Sequence, residues 1–143
     1  MLSLRNTTAI LFLTFGLAGG GGPVLAADAE RGSAGLAALA VTVDNTGAMP
    51  IDCGAAVAHW FSVDLGSVPA GATVTLPLWR DDAGGTVYTL NLHGDRLPVE
   101  RLWCGLAGRS WATRSEIALP RQAGAAADVA VACSDDGERL SCR

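Results

Sequence analysis

The sequence contains no lysine; all ten of its basic residues are arginine. That excludes a Schiff-base nucleophile and the phosphate-binding lysine of a P-loop. Histidine is nearly absent too, with only His59 and His93. The four cysteines, Cys53, Cys104, Cys133 and Cys142, contain no Cys-x-x-Cys pair, so the close ligand pairs of a structural zinc cluster are missing. No Gly-x-Ser-x-Gly elbow is present to expose a nucleophilic serine. No apolar run approaches the ~20 residues that span a bilayer. A pI of about 4.9 speaks against nucleic acid as a ligand, because phosphate binding needs a basic stripe.

What is there begins with a targeting pattern. Arg5 is a positive flank, residues 10–15 are an apolar core, and Gly19 to Pro23 break any helix. Val24 and Ala26 are the small residues of a cleavage site. Residues 1–26 therefore read as a signal peptide, and cleavage after Ala26 leaves 117 of the 143 residues. Much of the mean hydropathy of +0.32 belongs to that segment. The lysine-free, alanine-rich style suggests a bacterial product, which directs the chain to the periplasm or beyond.

All four cysteines lie in the exported part, where an even count reads as two disulfides. Of the three possible connectivities, Cys53–Cys104 with Cys133–Cys142 is preferred. A hairpin turning at Asp136 to Arg139 sets the second pair face to face. Loop-closure entropy assigns about 4 kcal/mol to the long loop and about 2.7 to the short one.

Residues 27–35 read as a disordered lead-in, and residues 36–143 as one domain. Within it, short stretches of strand-forming residues alternate with turn signals, and no window carries a convincing amphipathic helix. Expected strands include Ala40 to Asp44, Ile51 to Phe61, Thr73 to Trp79, Thr86 to Leu92, Pro98 to Trp103, Trp111 to Leu119, Asp128 to Cys133 and Arg139 to Cys142. Gly66 to Gly71 and Gly105 to Gly108 are expected as loops. Pro77 points to an edge or to the outward side of its strand. The pattern predicts an all-β sandwich of about seven to nine strands.

Two segments sharpen that prediction. Val41-Thr42-Val43-Asp44-Asn45-Thr46-Gly47 is a strand ending in Asn-x-Gly. Residues 65–76, Leu-Gly-Ser-Val-Pro-Ala-Gly-Ala-Thr-Val-Thr-Leu, join a Pro-x-Gly turn to an alternating strand. Together they resemble a bacterial immunoglobulin-like sandwich over about a third of the chain. The resemblance implies a fold and no catalytic residues. It departs from antibody-type domains, because Trp60 follows Cys53 by only seven residues and Leu102 stands where a tyrosine corner needs Tyr.

For function, aromatics and arginine carry the signal. Trp60, Trp79, Trp103 and Trp111 all survive processing, and two of them are expected to fill the core, with Trp60 or Trp103 beside the Cys53–Cys104 bridge. Residues 95–111 concentrate Trp and Arg, the types enriched in binding hot spots. The candidate contact residues are Arg96, Arg101, Trp103, Arg109 and Trp111. The expectation is a non-catalytic binding or accessory module for a periplasmic or envelope protein, without cofactor.

Rival readings stand beside it. A copper site would draw on His59, His93, Cys104 and Met49, although no His or Met closely follows Cys104. The acidic pairs Asp81-Asp82 and Asp135-Asp136 could take a hard cation but lack the Asp-x-Asp-x-Asp-Gly spacing, and read more simply as soluble turn tips. A small hydrolase or an enzyme inhibitor is the remaining alternative.

Overall fold

The computed structural model describes residues 30–58 and 61–143. Residues 1–26, read from the sequence as a signal peptide, lie outside them, as do His59 and Trp60. Nine strands and one short helix follow in order: β1 (Ala37–Asn45), β2 (Ile51–Val57), β3 (Phe61–Val68), β4 (Thr73–Arg80), β5 (Val87–Leu90), β6 (Arg96–Leu106), α1 (Ser110–Thr113), β7 (Ser115–Ile117), β8 (Val129–Asp135) and β9 (Leu140–Cys142). The fold is all-β and sandwich-like.

β6 belongs to both layers. Its first residues, Arg96 to Pro98, pair with β5, while Val99 to Leu106 pair with β2. One layer is β3-β2-β6-β7; the other runs from β6 through β5, β4, β1 and β8 to β9. All pairings are antiparallel except β1 with β8, which is parallel because residues 118–128 carry the chain across between β7 and β8.

Alternation decides which side chains go inside. Leu39, Val41 and Val43 of β1 face Leu76 and Leu78 of β4, and meet Ile51, Ala55 and Val57 of β2 and Val99, Leu102 and Leu106 of β6. The core is aliphatic and also holds Cys53, Cys104 and Cys133. Among the described residues no tryptophan belongs to this cluster. Trp103 neighbours Cys104 in the strand, so with Cys104 pointing in, Trp103 must point out. Of the two tryptophans expected beside the disulfide, Trp103 thus lies outside the core cluster, and Trp60 lies outside the described residues.

Both disulfides form as expected, Cys53–Cys104 between β2 and β6 and Cys133–Cys142 between β8 and β9. Each joins residues directly opposite in register. Ala132 and Arg143 exchange both backbone hydrogen bonds, which leaves Cys133 and Cys142 as the closer, non-hydrogen-bonded pair. No cysteine among the described residues is free, in keeping with maturation outside the reducing cytoplasm. Among the described residues no helix is long and apolar enough to cross a membrane.

Pro77 sits within the sheet without breaking it. Its partner Ala40 donates its N–H away from β4, to Asp128 Oδ1 at 2.9 Å. The position therefore needs no ladder bond, and β5 reaches only as far as Trp79 and Arg80 on the other side. Asn45, fully buried, closes the β1 end. Its Nδ2 donates to the carbonyls of Met49, Val68 and Pro69 at 2.9, 3.0 and 3.2 Å, and its Oδ1 accepts from Gly47 N–H. One side chain thus ties the β1–β2 turn to the β3–β4 turn.

Five further expectations are revised. The run from Ile51 to Phe61 is not one strand; β2 ends at Val57, β3 begins at Phe61, and Gly66 to Val68 finish β3 instead of forming a loop. The residues between, Ala58-His59-Trp60, carry none of the Gly, Pro, Asn or Asp letters that announce a reversal. Gly105 lies inside β6, where a Cβ would collide with the Ser110 carbonyl. Trp111 stands on helix α1, not on a strand. The lead-in is anchored from Glu30 onward: Arg31 bridges to Asp95, Gly32 N–H bonds the Gly94 carbonyl, and Arg96 holds Glu30 and the carbonyls of Gly32 and Ala34.

Candidate functional site

The outward face of β3-β2-β6-β7 carries a transverse row set by register. Glu116 of β7 lies opposite Trp103 of β6, Trp103 opposite Gly54 of β2, and Gly54 opposite Asp64 of β3. Gly54 makes the row possible. A Cβ there would come within 3.1 Å of Trp103 Cζ2 and 3.2 Å of the Val63 carbonyl. With no side chain in the way, the Trp103 indole lies down on the sheet and is only 5 % exposed.

Helix α1 supplies the second indole. Thr113 Oγ1 accepts the buried Leu106 N–H at 2.8 Å and donates to the Arg109 carbonyl at 3.0 Å, pinning the single helical turn to the end of β6. Trp111 then stands edge-on to Trp103, with ring centroids 5.0 Å apart and planes at 80°. It remains 50 % exposed. The Arg114 guanidinium lies 3.9 Å over the Trp111 ring, and that of Arg101 lies 5.9 Å away. Glu116 approaches both, at 3.6 Å from Arg101 and 3.9 Å from Arg114.

Two depressions flank this ridge. A cleft of about 430 Å³ is lined by Asp52, Gly54, Ser62, Asp64, Trp103, Ser110 and Trp111, among others. Its charged groups are carboxylates only. Asp52 accepts from Ser67 Oγ at 2.5 Å and Gly108 N–H at 3.2 Å, and Asp64 accepts from Gly66 N–H at 2.8 Å. On the other side, a hollow of about 360 Å³ is lined by Ala112, Thr113, Arg114, Glu116 and Arg139. Trp111 and Arg114 thus divide a surface of two signs.

Of the sequence-predicted contact residues, Arg101, Trp103 and Trp111 meet here. Arg109 is close in sequence but bonds the Gly137 carbonyl at 2.5 Å, bracing the β8–β9 hairpin. Arg96 is not part of the patch. It begins β6, seven residues from Trp103 and so about 23 Å along an extended strand. Its guanidinium is consumed by the anchored N-terminal stretch.

The residues that sequence reading missed are Arg114, Glu116, Asp52, Asp64 and Gly54. Arg114 follows Trp111 by three, the spacing of neighbours on a helix. Treating the stretch as a strand placed the two on opposite faces.

The copper set is not assembled. Cys104 is bonded to Cys53. Met49 lies in the turn beside the Leu106 end of β6, and His93 in the turn beside its Arg96 end. Among the described residues no group of three His, Cys, Asp or Glu is placed to hold a metal ion. The acidic loops spend their carboxylates on backbone N–H groups: Asp81 on Ala83 and Gly84, Asp135 on Ala48 and Gly137, Asp136 on Glu138 and Arg139. Those N–H donors, Arg139 first and Glu138 next, hold the Asp136 carboxyl below its ordinary pKa. The chain matches no protein-family model, and no curated protein or solved structure is significantly similar to it.

Proposed function

We propose that the protein is an exported, non-catalytic binding module, an immunoglobulin-like sandwich that engages a periplasmic or envelope protein through the Trp111 ridge. The observation that carries this reading is a half-exposed tryptophan held in one orientation by a buried tryptophan, a stacked guanidinium and a helical turn pinned to β6. Trp and Arg are the side chains that dominate contact energies, and a contact held rigid beforehand loses little entropy on binding. The two disulfides support export, and the Asn45 junction makes one structural unit of the two segments that carry the immunoglobulin-like resemblance.

A photo-crosslinker at the exposed position 112, which leaves Trp111 in place, tests the reading in the exported protein. One discrete adduct is expected in the cell envelope, with none from a crosslinker at Leu92, which is fully exposed in the β5–β6 turn. The pair Trp111→Ala with Arg101→Glu should abolish capture and leave the thermal midpoint near that of the parent. Capture that survives in a folded double variant, or equal adducts from both positions, overturns the assignment.

A further inference from the structure

The cleft between Trp111 and β3 has a sign and a shape of its own. It is lined by Trp103, Trp111, Gly54, Ser62 and Ser110, and its charged groups are the carboxylates of Asp52 and Asp64. Across the ridge the chain already builds the same chemistry internally: the Arg114 guanidinium lies on the face of Trp111 with Glu116 at its edge. A planar guanidinium suits such a place, because it stacks on an indole and offers forked donors to a carboxylate.

We infer that this cleft receives an arginine side chain of the partner protein, stacked on the indoles and paired with Asp64 and Asp52. The inference rests on the proposed function and gives it a partner chemistry. Charge complementarity supports it: the cleft presents only acids, and the whole chain carries a formal charge of −4. At about 430 Å³ the cleft is roomy enough for one long side chain with its flanking backbone. The residues concerned lie on paired strands and a pinned turn, so the site is held in place before the ligand arrives.

The probe is the blocked tripeptide Gly-Arg-Gly, with the citrulline tripeptide as its neutral isostere, titrated into the isotope-labelled, disulfide-bonded protein. The arginine peptide should shift the amides of Gly54 and Asp64 and the indole N–H signals of Trp103 and Trp111, saturating in the millimolar range. The citrulline peptide should bind at least about tenfold more weakly, since it keeps the shape and loses the charge. Asp64→Asn keeps an oxygen for Gly66 N–H and should weaken the arginine peptide several-fold; Asp52→Asn is the second variant should the first fold poorly. Equal response to citrulline, shifts confined to other surfaces, or no response overturns the inference. The two readings fail separately. A position-112 adduct without arginine binding removes the cleft ligand and leaves the binding module. Arginine binding without any adduct leaves the cleft and removes the protein partner.

Discussion

Around Arg80 and around Trp111 the same guanidinium group is put to different ends. Arg80 is 2 % exposed, and its donors go to the carbonyls of Pro120, Gln122 and Gly124 and to Asp82. It is the internal frame of residues 118–128, a crossover without regular structure, which Arg121 fastens again through the Val99 and Glu100 carbonyls at 2.8 Å. Near Trp111, Arg101 is about half exposed and Arg114 about a third, and their partners are an indole face, one shared carboxylate and, for Arg114, the single carbonyl of Trp111 at 2.7 Å. Burial converts arginine into scaffold, while partial exposure beside an aromatic leaves it available to a ligand. The absence of lysine fits the first use. Five donors in a rigid fork can satisfy several diverging carbonyls, where an ammonium has three donors on a point.

The sharpest way to break the comparison is to make one substitution in both places. Arg80→Lys keeps the charge and removes the fork, stranding main-chain carbonyls of the crossover. A loss of about 3–5 kcal/mol in urea unfolding is expected, the scale of breaking a buried ionic network. Arg114→Lys should cost less than about 1 kcal/mol, as partly exposed pairs and stacked cations do. It should nevertheless reduce partner capture through Trp111. Equal costs at the two positions would mean that burial is not what separates the two arginines.

Between these extremes lies Thr113. Thr113→Val preserves volume and leaves the Leu106 N–H buried without its acceptor, a loss of about 2 kcal/mol. The effect should reach the ridge: with α1 unpinned, the Trp111 indole should lose its fixed orientation, read as lower fluorescence anisotropy or weaker contacts to Trp103 by NMR. A destabilised variant whose Trp111 stays as ordered as in the parent would show that the indole stack, not the threonine, positions the ridge.

The sequence carried the framework better than it carried the site. Alternation in Ala40 to Asp44 and Thr73 to Trp79, the turn at Asp136 to Arg139 and the even cysteine count led to the correct class and both disulfides, because these signals are local or depend on one pairing. The β2–β3 reversal was illegible, since Ala58-His59-Trp60 contains no turn former. The site was half legible. Trp103 and Trp111 stand out by rarity, but their juxtaposition depends on Gly54 lying across from Trp103, and on a single helical turn too short to leave a period. Asp64 joins the row only through two strand registers, which no spacing within one segment encodes. Arg96 looked equivalent to Arg101 in the sequence and differs only because Gly32 and Ala34 fold back onto it.

Asp136 gives the smallest effect and inverts the Arg80 arrangement. There a cation gathers buried carbonyls; here an exposed carboxylate gathers N–H groups, with Oδ1 2.7 Å from Arg139 N and 2.9 Å from Glu138 N. These bonds favour the ionised form, so the folded pKa lies below the ordinary 3.8. The sign follows from linkage. A lowered carboxyl pKa contributes stability that is fully present above the unfolded value and is lost as pH falls through the folded one. The β8–β9 turn should therefore hold at neutral pH and loosen only in acid below 3.8. Cys133–Cys142 should keep the strands together meanwhile, so the loosening stays local to the turn. Acid titration by NMR should give a midpoint below 3.8 at the Glu138 and Arg139 amides, and Asp136→Asn should abolish the transition without unfolding the domain. A midpoint at or above the ordinary value would mean that these N–H groups do not hold the charge. The contrast with Arg80 would then rest on burial alone, without the backbone partners that make an ion structural.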